Sequence, residues 1–114
     1  MDCVFCKIIN GEIPSEFLYR DDKMVIIKDI DPKAALHYLA IPLRHYARFE
    51  EMNDNDRAVI GYMVDRIAFL QDELGLQGGY RLVINQGEDA GQTVPHLHIH
   101  IMGGQTLDFP DLRK

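Results

Sequence analysis

The chain has 114 residues and a mass of 13.1 kDa, a length typical of one domain, which we assign to residues 1–114. With 46% hydrophobic and 26% charged residues, the composition is globular and disfavours disordered, collagen-like and coiled-coil chains. The net charge of −6 argues against a nucleic-acid-binding protein, because such proteins neutralise phosphates with a basic face.

No targeting or membrane segment is predicted. The longest apolar runs fall far short of the roughly 20 residues of a membrane-spanning helix. The N-terminus, Met1-Asp2-Cys3, has neither the basic patch nor the apolar segment of a signal peptide. We therefore expect a cytoplasmic protein that has no membrane partner.

The predicted elements are mostly strands. Residues 3–11 predict a short helix or turn that ends at an Asn-Gly pair, and the acidic pair Asp21-Asp22 predicts a hairpin turn. Five strand-like runs are bounded by turn-forming residues: 17–20, 23–30, 37–41, 80–85 and 96–102.

One long amphipathic helix is predicted between the third and fourth strands. Asn53 or Asp54 is the candidate N-cap, and Gly75 is the candidate stop. Between them, apolar residues recur at three- and four-residue steps: Val59, Ile60, Met63, Val64, Ile67, Leu70 and Leu74. The pattern predicts an α+β fold with an antiparallel sheet and with the helices on one face.

The two cysteines, Cys3 and Cys6, form a C-x-x-C motif. A structural disulfide is disfavoured in a reducing cytosol, and a thioredoxin-like motif needs a strand before it. Two interpretations stay open on the motif alone: half of a zinc site, or two small, partly buried thiols.

Histidine alternates with aliphatic residues in the segment His96-Leu97-His98-Ile99-His100-Ile101. In a strand, successive side chains point to opposite faces and each residue advances about 3.3 Å, so the imidazoles share one face at steps of about 6.6 Å. The aliphatic side chains then enter the core. Such a ladder suits zinc ligands, a histidine nucleophile with helper groups, or a solvated sheet face.

The loop at residues 86–95 precedes this ladder and suits an anion. Gly91 allows the backbone to approach a ligand closely, and Gln92 and Thr93 add polar donors. Free backbone N–H groups in such a loop can surround a phosphate, although an ordinary turn explains it as well.

The ladder resembles the histidine triad motif, H-φ-H-φ-H-φ with φ apolar. Taken with the rest of the chain, it is similar to the Hint branch of the histidine triad nucleotide-binding proteins. Nearly the whole chain shares the resemblance, which rests on six further segments: residues 3–14, 28–30, 37–45, 85–87, 91–94 and 103–104.

The resemblance implies a fold and an activity. The implied histidine triad (HIT) fold is a five-stranded antiparallel sheet with one long and one short helix, joined to a second sheet across a homodimer. The implied partners are purine nucleotides such as AMP, GMP and adenosine phosphoramidates. The implied reaction releases a nucleoside 5′-monophosphate from a phosphoramidate or related α-phosphate-linked substrate through a nucleotidyl-histidine intermediate. The alternatives are a diadenosine polyphosphate hydrolase of a neighbouring branch and a non-catalytic nucleotide-binding protein.

The resemblance also implies residue roles. His98 would be the nucleophile, His100 would bind the phosphate or leaving group, and His96 and His45 would orient His98. Further nucleotide contacts would come from Asp29 at the ribose, from Asn85, Gly91, Gln92 and Thr93 at the phosphate, and from Ile8, Phe17 and Ile30 at the base.

Three positions qualify these roles. Asp29 also fits a turn carboxylate before Asp31-Pro32, and His37, inside an apolar strand, is expected to be structural. The Hint branch commonly has serine where Thr93 stands, which keeps the hydroxyl and adds a methyl group.

A metal site is implied as well. Some bacterial members of the resembled family bind zinc through the N-terminal C-x-x-C and two histidines, which correspond here to Cys3, Cys6, His45 and His96. Four such ligands would make a structural Zn2+, and catalysis by a histidine nucleophile would need no metal.

Overall fold

A computed structural model describes residues 3–114, so Met1 and Asp2, which entered the signal-peptide prediction, lie outside it. Five strands form one antiparallel sheet in the order β1-β2-β3-β5-β4. The strands are β1 Tyr19–Arg20, β2 Met24–Lys28, β3 Leu36–Pro42, β4 Tyr80–Val83 and β5 Ile99–Gly103. The helices are α1 Val4–Ile9 and α2 Asp54–Phe69, and short 3-10 turns cover Phe49–Glu51 and Glu88–Ala90.

The α+β prediction, with a five-stranded antiparallel sheet, one short helix and one long helix, is confirmed. Within residues 3–114, neither helix combines the length and the apolar character that crossing a membrane requires.

The turn between β1 and β2 is built around Asp21. Its Oδ1 accepts the backbone N–H groups of Lys23 at 2.7 Å and Met24 at 2.9 Å. Its Oδ2 accepts the hydroxyls of Tyr19, at 2.8 Å, and Tyr62 of α2. The predicted hairpin turn is therefore confirmed, and the same carboxylate ties it to the long helix.

The helices pack on opposite faces of the sheet, so the prediction of helices on one face is wrong. Met24 and Ile26 pack with α2, whereas Val25 and Ile27 pack with α1. All four residues of this unbroken apolar run are buried. A continuous apolar run is typical of a strand buried on both faces, because no alternate position is left for solvent.

The long helix begins where the sequence predicts and ends earlier. Asn53 and Asp56 form a reciprocal capping box at its N-terminus. After Phe69 the chain tightens into turns rather than continuing to Gly75, although Leu74 still reaches the core. The predicted apolar stripe is largely inward, but Val64 is exposed.

The last strand begins at Ile99, three residues later than predicted. Its partner β3 ends at Pro42, whose carbonyl oxygen accepts the ring Nε2–H of His96 at 2.9 Å. Leu97 N–H donates instead to the Tyr46 carbonyl at 2.6 Å. The alternation survives outside the strand, because Leu97, like Ile99, is fully buried.

Candidate active site

A cleft of about 410 Å³ lies between α1, the end of β2, the first half of β3 and the start of β5. His98, His100 and His37 contribute to its lining. A second cleft of about 470 Å³, between α2, the β1–β2 turn and the segment that follows β3, has no histidine or cysteine in its lining. The histidine-lined cleft is therefore the candidate active site.

The histidine face is buried rather than solvated. Phe5 of α1 packs edge-on against His98, with ring centroids 5.0 Å apart, and against His96 at 5.9 Å. As a result His96 is fully buried and His98 is only 8% exposed. The interpretation of the ladder as a wet sheet face is wrong, because α1 covers it.

One backbone hydrogen bond fixes the tautomer of His98. Its Nδ1 lies 2.7 Å from the carbonyl oxygen of His96, and since a carbonyl can only accept, Nδ1 carries the hydrogen. In the neutral ring, Nε2 then keeps its lone pair. His98 lines the cleft and has a ring nitrogen available as a nucleophile.

A second chain of hydrogen bonds fixes His37 and His100. The backbone N–H of Lys33 donates to His37 Nδ1 at 2.9 Å, so the hydrogen of this neutral ring is on Nε2. That Nε2 lies 2.9 Å from His100 Nδ1, which must accept. His100 therefore carries its own hydrogen on Nε2, as a donor for a ligand in the cleft.

Both rings are held neutral by their surroundings. Burial, together with the neighbouring His98 and His37, lowers the pKa of His100 to about 4. Burial also lowers the pKa of His37, and the Asp29 carboxylate only partly opposes this effect. The hydrogen-bond chain needs His37 and His100 each to donate at one ring nitrogen and accept at the other. Because both rings stay neutral, this chain is maintained at neutral pH.

Asp29 is a turn carboxylate that also faces the cleft, and its contact with a ribose stays a prediction. Its Oδ1 accepts the Asp31 backbone N–H at 2.8 Å, the contact expected of a turn carboxylate. Its Oδ2 lies 3.4 Å from His37 Nε2 and 3.9 Å from His100 Nδ1, at the cleft.

The three groups Asp29, His37 and His100 lie close enough for a metal ion, but their donors do not suit one. A metal on Nε2 of His37 would need the hydrogen on Nδ1, where the Lys33 N–H already points. The contacts favour a proton-holding chain at this position.

The loop before the ladder is braced by Gln92. Its side-chain oxygen accepts the Gly87 N–H at 2.8 Å, and its amide nitrogen donates to the Ala47 carbonyl at 2.7 Å. The backbone N–H groups of Gln92 and Gly91 donate to Gly87 and Glu88 within the loop. These bonds shape the loop that carries Thr93, and the phosphate contacts expected of Gly91 and Gln92 stay a prediction.

The predicted site residues separate into two groups. Six line the cleft: Ile8, Asp29, Ile30, Thr93, His98 and His100. The others do not: Phe17, Asn85, Gly91, Gln92, His45 and His96. Phe17 instead packs beside the α1 core under the guanidinium of Arg20, and the Asn85 carbonyl accepts the Gln86 side chain.

His96 and His45 lie behind the cleft with the cysteines. His96 Nδ1 lies 3.3 Å from Cys3 Sγ and 3.1 Å from His45 Nδ1. Cys6 Sγ lies 3.4 Å from His45 Nδ1 and 3.5 Å from His96 Nδ1. His96 thus acts on His98 through its backbone carbonyl, whereas its ring belongs to this four-residue cluster.

The donor chemistry of the cluster fits a tetrahedral metal. The four ligand atoms lie within 4.8 Å of one another. Bonds of about 2.3 Å to sulfur and 2.0 Å to nitrogen place tetrahedral sulfur and nitrogen ligands about 3.5 Å apart. His96 also donates its Nε2–H to Pro42, which leaves Nδ1 unprotonated and directed at the cluster.

The part that His37 and Phe5 play in the cleft is not predicted from the sequence. His37 is buried, as a structural histidine would be, yet its ring bonds to His100. A signal was available, because His37 and His100 occupy the same face of neighbouring antiparallel strands. Phe5 gave no such signal, since its contact with the ladder depends on how α1 docks.

Comparisons with a family model, with related sequences and with solved structures all match this chain to HIT-like proteins. Residues 2–108 match the family model described as scavenger mRNA decapping enzyme C-term binding. An uncharacterized HIT-like protein of Synechococcus elongatus is 40% identical over 109 residues, which cover 96% of each chain. A HIT family hydrolase from Legionella pneumophila superposes with a TM-score of 0.89 at 38% identity, covering 96% of this chain and 99% of that chain. A histidine triad nucleotide-binding protein from Candida albicans has a TM-score of 0.78 at 34% identity, covering 88% of this chain and 73% of that chain.

Proposed function

Because this chain belongs to the histidine triad family, we propose that it is a hydrolase of purine nucleotides that carry a leaving group on the α-phosphate. Its substrates would be phosphoramidates such as adenosine 5′-phosphoramidate, and its product a nucleoside 5′-monophosphate such as AMP or GMP. The observation that carries the proposal is the fixed tautomer of His98, which keeps a lone pair on Nε2 beside the cleft.

In the first step, Nε2 of His98 attacks the α-phosphorus. A nitrogen–phosphorus bond forms as the bond to the leaving group breaks, and the leaving amine departs with the electron pair of that bond and with a proton from solvent, guided by the His100 N–H. The positive charge that develops on the His98 ring is held by the Nδ1–H bond to the His96 carbonyl. In the second step, water attacks the nucleotidyl-histidine, which restores the neutral ring and releases the nucleoside monophosphate. Covalent catalysis of this kind divides one difficult displacement into two easier ones.

His100 and Thr93 would stabilise the phosphoryl group. The chain from Lys33 through His37 leaves the Nε2–H of His100 to donate to a phosphoryl oxygen or to the leaving group. Thr93, an exposed residue that carries a hydroxyl, lines the same cleft. Donors that are held in place before the reaction stabilise charge without reorganisation.

The apolar wall of the cleft would bind the base. Ile8 of α1 and Ile30 after β2 both line it, and the Ile30 side chain is fully exposed in the free protein. A purine placed between them would cover this apolar surface, which favours binding. Asp29, at the polar end, would accept hydrogen bonds from the ribose hydroxyls.

We also propose that Cys3, Cys6, His45 and His96 hold a structural Zn2+. The support is the S2N2 donor set, its tetrahedral spacing and the hydrogen bond that orients His96. The metal would supply charge neutralisation for two thiolates and a cross-link between α1 and the residues around the ladder. All four protein ligands fill its shell, so the reaction needs no step on it.

A homodimer is the proposed assembly. The strand β4 lies at the edge of the sheet, and all four of its residues are half-exposed in the protomer. An open strand edge is a template for pairing, and pairing of two β4 edges would join both sheets into one.

The proposal is tested by comparing adenosine 5′-phosphoramidate with diadenosine tetraphosphate as substrates, for the wild type and for His98→Ala. We expect AMP release from the phosphoramidate at a higher kcat/KM, and a loss of more than about 10³-fold in His98→Ala with AMP still bound. At saturating substrate, turnover should persist in EDTA, because no chemical step uses the metal.

Two results would contradict the proposal. A preference for diadenosine tetraphosphate would assign the protein to the polyphosphate hydrolases of the neighbouring branch. Binding of AMP with no turnover of either substrate would leave a nucleotide-binding protein.

A further inference from the structure

The helix α1 stands between the four-residue cluster and the cleft. Cys3 caps its N-terminus, with Sγ accepting the Cys6 N–H at 3.3 Å, and Cys6 lies in its first turn. On the other side of the same helix, Val4, Phe5 and Ile8 line the cleft. The metal ligands and the wall of the cleft are therefore neighbours on one six-residue segment.

So short a helix has little stability of its own, because helices under about 12 residues are marginal in water. Two sets of contacts hold it in place. One is apolar, where Phe5 and Ile9 pack against Val25 and Ile27 of β2. The other is the pair of thiols, which lie 3.3–3.5 Å from imidazole nitrogens of His45 and His96.

The cluster also reaches the nucleophile by two routes. Phe5 packs edge-on against His98, with an interplanar angle of 84°. His96 holds the His98 ring through its carbonyl oxygen, while its own ring lies in the cluster. A change in the position of α1 or of His96 therefore moves both the apolar wall and the nucleophile.

We propose that metal binding at the four-residue cluster and nucleotide binding in the cleft are positively coupled through α1. This inference rests on the proposed function, since it requires a purine nucleotide in the cleft. A Zn2+ ion on the four ligands fixes the first turn of α1, so a nucleotide that binds against Val4 and Ile8 has less ordering left to do. By linkage, the nucleotide raises the affinity for zinc by the same factor.

The coupling should be local. The core on the other face of the sheet, between α2 and residues such as Met24 and Ile26, includes none of the four ligands. Removal of the metal should therefore loosen α1 and leave the sheet and α2 folded.

The test measures two affinities in a closed cycle. The dissociation constant of AMP is measured by calorimetry on zinc-loaded and on chelated protein, and that of zinc by competition with a chromophoric chelator, with and without AMP. We expect the metal-free protein to bind AMP about tenfold more weakly, and AMP to tighten zinc binding by the same factor.

Two variants of α1 locate the coupling. Phe5→Leu keeps all four ligands but weakens the apolar packing of α1, so zinc binding should persist while the factor between the two AMP affinities rises, because α1 then depends more on the metal for its order; an unchanged factor would contradict coupling through α1. Lys7→Gln is the matched control, because Lys7 lies on α1 but neither in the cluster nor in the lining of the cleft. It should retain both affinities and the coupling.

The outcomes separate the two proposals. Equal AMP affinities for zinc-loaded and metal-free protein would overturn the coupling and leave the proposed function intact. Loss of the far-ultraviolet circular dichroism of the whole chain on chelation would also overturn it, since the effect would then be global. If the zinc-loaded protein bound no AMP, both the proposed function and the coupling would be contradicted. If the protein bound no zinc, only the coupling would be contradicted.

Discussion

Nε2 of His37 lies 2.9 Å from Nδ1 of His100, and the Lys33 backbone N–H occupies the other nitrogen of His37. A backbone group thus sets the tautomer of one ring, and that ring sets the tautomer of the next. His100 has its hydrogen on Nε2 because of a peptide four residues before His37.

We predict that His37→Leu lowers kcat by about 10- to 100-fold and changes KM little, because His100 loses the donor that fixes its tautomer. Steady-state kinetics with adenosine 5′-phosphoramidate measures this. Tyr38→Phe is the matched control on the same strand, because its hydroxyl bonds to the Leu74 carbonyl in the opposite core. An unchanged kcat in His37→Leu would contradict the assignment.

The Asp21 turn predicts a pH-dependent stability. Burial alone would raise the pKa of the Asp21 carboxyl. The hydrogen bonds from Tyr62, Lys23 and Tyr19 outweigh this effect and lower the pKa below its usual value. A carboxyl group whose pKa is lower in the folded state stabilises the fold above its unfolded pKa of about 4, and this contribution is lost as the pH falls through the folded value.

We therefore expect Asp21→Asn to reduce the free energy of unfolding by about 1–3 kcal/mol at pH 7. The difference from the wild type should shrink as the pH falls below 4. Urea unfolding at several pH values measures both effects, and a difference that stayed constant with pH would exclude an ionised Asp21 as the cause.

The metal proposal predicts a spectroscopic signature. Protein loaded with Co2+ in place of zinc should show thiolate-to-cobalt charge-transfer absorption and the strong visible bands of tetrahedral cobalt. Cys3→Ser should weaken the charge-transfer band, whereas His37→Leu should leave it unchanged because His37 belongs to the other histidine group. Octahedral cobalt bands without thiolate character would contradict the site.

The dimer proposal predicts that the protein sediments at twice 13.1 kDa. Alternate residues of an edge strand direct their N–H groups towards the neighbouring strand and outward. Proline at position 81 or 82 removes one backbone N–H of β4, and only one of these two N–H groups points away from β5. The variant that loses the N–H pointing away from β5, Arg81→Pro or Leu82→Pro, should give a folded monomer. The other variant should disturb the pairing of β4 with β5. A monomeric wild type at micromolar concentration would contradict the assembly.

Local patterns predicted most of the elements. The N-cap at Asn53 and the hairpin turn at Asp21 depend on contacts within a few residues, so the sequence contains their signals. The alternation of Leu97 and Ile99 with histidine likewise predicted which side chains enter the core.

The relationships that build the site depend on docking, which local patterns do not contain. The burial of His98 follows from the position of Phe5 on α1, more than 90 residues away in sequence. The late start of the ladder strand, at Ile99, depends on Pro42 and Tyr46, whose carbonyl oxygens accept the His96 ring N–H and the Leu97 backbone N–H. The sequence predicts Gln92 as a donor to a ligand. Only the fold shows that its side-chain amide accepts a hydrogen bond from the Gly87 N–H and donates one to the Ala47 carbonyl.

The stereochemical course at phosphorus distinguishes attack by His98 from direct attack by water. Each in-line displacement at phosphorus inverts its configuration. Hydrolysis of a P-chiral thiophosphoryl analogue of adenosine 5′-phosphoramidate in ¹⁸O-labelled water should therefore give overall retention, the sum of two inversions through nucleotidyl-His98. Net inversion would show that water attacks directly and would contradict a histidine nucleophile.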